Sequence, residues 1–240
     1  MKLMALAVMP LCLFASVAEA SSLRVAPILL DVSAPGAATT LNLRNEGDEK
    51  LHVQIRIFRW TGNTQAGPSL EPTGDVVVSP PAATLLPATE YVVRVVRVAR
   101  QPVAGEESYR ILVDEVPDAV GGKANAVRFA LRYSIPAFFT AAAVSAANVS
   151  WSLAAKGNAA VLTASNAGGR RLRLANLKLV DGRGATLLQR PGLFGYALGN
   201  TSTTWTLPVR DGVIRSGPFK VVAETEAGAL NAVVALQPPR

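Results

Sequence analysis

The strongest constraint on this chain is a side-chain period of two. In Leu51-His52-Val53-Gln54-Ile55-Arg56-Ile57 the odd positions are aliphatic and the even ones polar. Successive side chains of a strand point to opposite faces, so this run fits a strand with one dry and one wet face and no amphipathic helix. Leu41 and Leu43 alternate with Asn42 and Arg44, and Tyr109, Ile111 and Val113 with Arg110, Leu112 and Asp114. Turn signals interrupt at short intervals: Asn45-Glu46-Gly47-Asp48, Pro80-Pro81, Pro102, Gly121-Gly122 and Gly168-Gly169. Long helical periodicity is absent. Short strands so punctuated predict an all-β chain of the sandwich or barrel class.

A small-residue stretch from Thr140 to Ala147 divides the strand-bearing sequence in two. Each part is near the ~100 residues of an immunoglobulin-like sandwich. The expected organisation is therefore two such domains, 21–140 and 141–240. In the second, the apolar phase slips between Leu174 and Leu177, as a β-bulge would cause.

Residues 1–20 read as a secretory signal peptide: Lys2, an apolar run from Leu3 to Val17, and the cleavage pattern Ala18-Glu19-Ala20. A retained anchor is disfavoured, because the run is shorter than the ~20 residues a spanning helix needs and Pro10 interrupts it. Cys12, the one cysteine, lies inside this segment. The exported form would then have no disulfide and no thiol nucleophile. The formal net charge is +7. Its basic residues alternate with apolar ones and form no block with stacking aromatics, which argues against nucleic acid. No membrane insertion is expected of the mature chain.

Enzymatic chemistry finds little support. His52 is the only histidine, and it sits on the polar face of a strand, which leaves no Ser-His-acid triad or zinc site to build. Asp114 and Glu115 are adjacent on a strand and point to opposite faces, the wrong arrangement for two carboxylates sharing a substrate. No phosphate-cradling or nucleophile-elbow motif opens a helix. The expectation is a protein that is not an enzyme and uses no cofactor.

Several segments, in order, resemble the periplasmic pilus-assembly chaperones, the PapD-like family. They are Leu41-Asn42-Leu43-Arg44-Asn45, Ser79-Pro80-Pro81, Leu86-Pro87 followed by Val93-Arg94-Val95, Tyr109-Arg110 through Glu115-Val116-Pro117, and Ala124 through Leu131. In the second half, Ala164-Ser165-Asn166-Ala167-Gly168 and Leu193-Phe194-Gly195-Tyr196-Ala197-Leu198 ahead of Trp205 resemble the archaic, Csu-like branch. The resemblance implies two sandwiches set at an angle with a subunit-binding cleft between them. It also implies a periplasmic location, pilin subunits as one-to-one partners, and delivery to an outer-membrane usher. Capture would work by strand addition, the chaperone lending the subunit the strand it lacks.

Between Asn125 and Ile135, Val127, Phe129, Leu131, Tyr133 and Ile135 share one face. The first four are the candidates to fill the subunit's groove; the same pattern would also suit a strand of the domain's own core. In the best-known branch an Arg and a Lys hold the subunit's terminal carboxylate. The matching places here are Leu29 and Pro136, neither of which can do so. The substitutes by residue type are Arg94 first, with Arg110 as its partner, and Arg132 as a third option. A rival reading is an exported two-domain adhesin or carbohydrate-binding protein. It would need exposed aromatics, and of Trp60, Trp151 and Trp205 the last two lie in apolar strands.

Overall fold

The computed structural model describes residues 23–64, 67–117, 130–210, 212–214 and 217–237. The expected signal peptide and two of the groove-filling candidates, Val127 and Phe129, lie outside the described residues. Every regular element among them is a strand.

The first sandwich has two layers. One is β1 (Leu23–Ala26), β3 (Ala38–Asn45), β8 (Glu90–Arg97) and β6 (Val76–Ser79), in that spatial order. The other is β2 (Leu30–Ser33), β10 (Arg132–Thr140), β9 (Glu106–Val116), β4 (Leu51–Thr64) and β5 (Gly67–Pro72), with β7 (Ala82–Leu85) also on β4. The period-two pattern sends Leu41, Leu43, Val93 and Val95 from one layer against Ile55, Ile111, Val113 and Phe139 from the other. Each such side chain contributes a gross ~1.5–3 kcal/mol. At one end Arg97 forks onto Glu107 through Nε and Nη2, both at 2.8 Å, and the Tyr109 hydroxyl donates to the same carboxylate at 3.0 Å.

The second sandwich is one continuous path. It runs β14 (Thr186–Ala197), β13 (Leu172–Val180), β16 (Phe219–Thr225), β17 (Gly228–Leu236), β11 (Val149–Lys156), β12 (Ala159–Asn166) and β15 (Thr201–Pro208). Strand β17 pairs with β16 and then, at Ala235 and Leu236, runs parallel to β11, so it passes from one layer to the other. The core packs Trp151, Leu153 and Leu162 against Leu174, Leu177, Leu179, Phe219 and Val221. The slip in apolar phase is a bulge: the β13–β14 register shifts between Leu174 and Ala175 and again between Ala175 and Leu177, across Asn176. Asn176 has φ +50, a conformation asparagine tolerates, and its Oδ1 accepts the Gly192 N–H at 2.8 Å.

Each sandwich ends one strand on a buried asparagine. Asn45 Nδ2 donates to Glu49 O and Leu85 O, and its Oδ1 accepts from Gly47 N. Asn166 Nδ2 donates to Arg170 O and Ala197 O, and its Oδ1 accepts from Gly168 N. The same side-chain amide thus fixes the same turn in both halves.

Candidate functional site

Strand β2 pairs with β10 only from Ala137 to Thr140. Strand β9 covers the other side of β10 along its whole length, Arg132 to Thr140. From Arg132 to Pro136, β10 therefore has one neighbour, and its second edge carries no strand among the described residues. An unpaired edge is a template for another chain. Pro136, which has no N–H, stands where this free stretch meets β2, a position that proline tolerates at sheet edges.

The face of β10 expected to enter a partner is divided. Leu131, just ahead of the strand, is 38% exposed. Tyr133 is turned inward: it packs against the first core and its hydroxyl donates to Leu23 O. Ile135 is buried in the same core. Of the groove-filling candidates, Tyr133 thus differs from Leu131, because its ring already covers its own domain. Alternation reveals an apolar face without revealing whose core covers it.

The three candidate cations lie in three different settings. Arg94 follows Val93 on β8, and since Val93 and Val95 fill the core, it projects outward from the four-stranded layer, beside Ser79, Pro80 and Val92. Arg110 projects outward from the opposite layer, because Tyr109 and Ile111 flank it in the core. The two point away from each other, so the expected Arg94–Arg110 pair cannot hold one carboxylate. Arg132 shares the face of Arg110 but is ion-paired with Asp114, which also receives Arg56 Nη2 at 2.6 Å. Burial would raise the Asp114 pKa, yet the hydrogen bonds from Arg132 and Arg56 outweigh it and hold the carboxyl below the ordinary aspartate value.

Arg110 differs from both. Its guanidinium lies 3.9 Å from the Trp60 ring centroid, and Nη1 donates to Ser134 O at 3.2 Å. Its Nε is buried without a partner, and among the described residues no carboxylate pairs with it. Burial pulls its pKa below the usual guanidinium value, with the electrostatic effect of the Tyr196 phenol group opposing. It sits directly across the β9–β10 ladder from Pro136, beside the free edge.

Trp60 and Phe138 belong to an aromatic seam between the domains, closed by Tyr196 and Leu198 of the second. Next to Phe138, Arg171 of the second domain donates to Asp31 Oδ2 at 2.6 Å and to Glu106 Oε2, and its backbone N–H reaches Glu106 Oε1 at 2.9 Å. Burial would lower the Arg171 pKa, but the hydrogen bond to Asp31 and the charges of Glu106 and Asp31 raise it. The sequence reading passed over this seam. Its one legible signal is Phe138-Phe139, consecutive aromatics that mark a strand buried on both faces. Trp60 and Trp151 are buried and Trp205 packs on the second core, so none offers a sugar-stacking surface.

The family model for the N-terminal domain of PapD, described as a pili and flagellar-assembly chaperone, matches residues 22–145, over half of the 240-residue chain. No curated protein sequence matches significantly. Among solved structures, the chain is similar to the CsuC–CsuE chaperone–tip adhesion subunit pre-assembly complex from archaic Csu pili of Acinetobacter baumannii. The TM-score is 0.66 and the identity 23%, over 90% of this chain and 99% of that one. It is also similar to the complex of the SafA pilin with the SafB chaperone from Salmonella enterica (TM-score 0.60, 19% identity, 90% and 98% covered). The Escherichia coli chaperone DraB gives a TM-score of 0.56 at 21% identity, with 88% and 97% covered. These structural likenesses establish the two-sandwich fold, and the family match establishes the kinship: the chain belongs to the PapD-type pilus-assembly chaperones.

Proposed function

We propose that this protein is a periplasmic, non-catalytic chaperone that holds a pilin subunit on the free edge of β10 and delivers it to an outer-membrane usher. The observation that carries the reading is the pairing of an unpaired strand edge with an uncompensated cation. Backbone groups from Arg132 to Pro136 offer a ladder, Leu131 offers an exposed apolar side chain, and Arg110 beside them offers a charged anchor for the subunit's terminal carboxylate. Val127 and Phe129 would extend the apolar row. A ladder alone leaves register open, because a two-residue slip keeps every side chain on its face; a charge pair at one end removes that freedom. Relatives of the fold have been seen with such partners, a tip adhesin for CsuC and a pilin for SafB.

The test is recovery from the periplasm. The chain should come out with a small β-rich partner at one-to-one stoichiometry, and that partner should aggregate when displaced. A protein recovered alone from cells assembling pili overturns the reading. An intact mass that begins at Ser21 would support export.

A further inference from the structure

Arg110 is held in place by residues of both domains. A guanidinium on an outward strand face would ordinarily sample many rotamers, but here it lies over the Trp60 ring at 3.9 Å with Ser134 O accepting from Nη1. The plane of Trp60 is itself fixed. Its Nε1–H donates to Gly62 O at 2.7 Å, Phe138 leans on it at 6.1 Å, and Tyr196 meets it edge-on at 5.6 Å and 83°. Tyr196 comes from β14 in the second domain. Its ring centroid is also 5.9 Å from the Arg110 guanidinium, and its backbone carbonyl accepts from Asn63 Nδ2 at 3.4 Å. The aromatic ring makes the contacts with Trp60 and Arg110, and the backbone carbonyl makes the one with Asn63.

We propose that Tyr196 is a positioning residue for subunit capture: through this ring the second domain holds Trp60, and with it Arg110, in the orientation that receives the terminal carboxylate. The inference rests on the reading of Arg110 as that anchor. It gives the second domain a part in recognition although the captured strand adds to the first. Because coupling is reciprocal, a bound carboxylate also favours the docked arrangement of the two domains.

The experiment uses the full-length protein and the subunit that copurifies with it, prepared with its natural carboxylate and, by peptide ligation, with a terminal carboxamide. Tyr196→Phe keeps the ring and should bind both forms as wild type does. Tyr196→Leu should weaken capture of the carboxylate form by roughly three- to tenfold, the range of a partly desolvated cation–aromatic contact. It should leave the carboxamide form unchanged and add no loss in an Arg110→Ala background. Tyr196→Met, which fills the volume without a ring, replaces Leu if that variant does not fold. Equal losses for both subunit forms, or a loss that persists without Arg110, overturn the inference and leave Tyr196 a packing residue. If wild-type protein binds carboxylate and carboxamide alike, the anchor reading itself falls and takes the inference with it.

Discussion

Arg110 and Arg171 lie on neighbouring rings of one aromatic seam, Arg110 3.9 Å from Trp60 and Arg171 3.8 Å from Phe138, yet only Arg171 has carboxylate partners. Asp31 and Glu106 neutralise Arg171, whereas Arg110 has a carbonyl and a ring. A half-buried cation without a counter-ion is costly unless a ligand completes it. The two residues therefore differ: Arg171 ties the domains together, while Arg110 is the one that the proposed function would give a partner's charge.

If the proposed function holds, removing the Arg110 charge should weaken capture without unfolding the protein. Hydrogen bonds to a charged group contribute ~1.5–3 kcal/mol, so Arg110→Ala should reduce subunit affinity by roughly tenfold to a hundredfold. Arg94→Ala, on the opposite outer face, should leave capture unchanged. Titration of refolded subunit against both variants checks this; equal losses would contradict the geometry.

Arg171 makes the opposite prediction. Its side chain is 2% exposed and that of Glu106 is 1% exposed, so Arg171→Ala leaves a buried carboxylate with only Arg170 Nε, at 3.9 Å, as a cation. Breaking a buried pair costs about 3–5 kcal/mol. Urea denaturation should show that loss. Arg171→Ala with Glu106→Gln should recover part of it, because the buried charge is gone.

Acid sensitivity should follow two depressed carboxyls. Burial would raise the Glu107 pKa, but the hydrogen bonds from Arg97 and Tyr109 lower it below the ordinary value, and Asp114 is lowered between Arg132 and Arg56. A carboxyl with a depressed folded pKa stabilises the fold fully above its unfolded value, near 4. That contribution is lost as pH falls through the lower, folded value. Stability should therefore be level from neutrality to about pH 5 as far as these groups act, then decline. Asp114→Asn should be less stable at neutral pH and show a shallower acid slope in equilibrium melts. An unchanged slope would mean that the carboxylate gains nothing from its two arginines.

Most of the fold was legible in the sequence because a half-buried strand writes its two faces as alternation. Even the bulge at Asn176 appears as a break in phase between Leu174 and Leu177. The site was legible only in part. Alternation says that Arg94 and Arg110 face outward, but not that they leave opposite layers, since layer membership depends on pairings such as Arg94 with Thr40 and Arg110 with Phe58. Arg171 carried no local signal, as its partners Asp31 and Glu106 are distant in sequence.

The last prediction separates Leu131 from Tyr133, two residues that the sequence places on one face. Leu131 is exposed just ahead of the free edge, with its carbonyl accepting from Glu115 N at 3.0 Å. Leu131→Asp should therefore abolish capture by bringing an unpaired carboxylate into a dry groove, while moving the isolated protein's stability little. Tyr133 packs on the first core and donates to Leu23 O. Tyr133→Ala should cost about 1–3 kcal/mol of folding stability, below the ~3–5 of a fully buried aromatic because the ring is half-covered. Its effect on capture should follow from unfolding alone and vanish when corrected for the folded fraction. Denaturation and subunit titration on the same samples decide between them. If Tyr133→Ala leaves stability intact and abolishes capture, the tyrosine leaves its core to enter the partner. If Leu131→Asp unfolds the protein, Leu131 belongs to the chaperone's own interior.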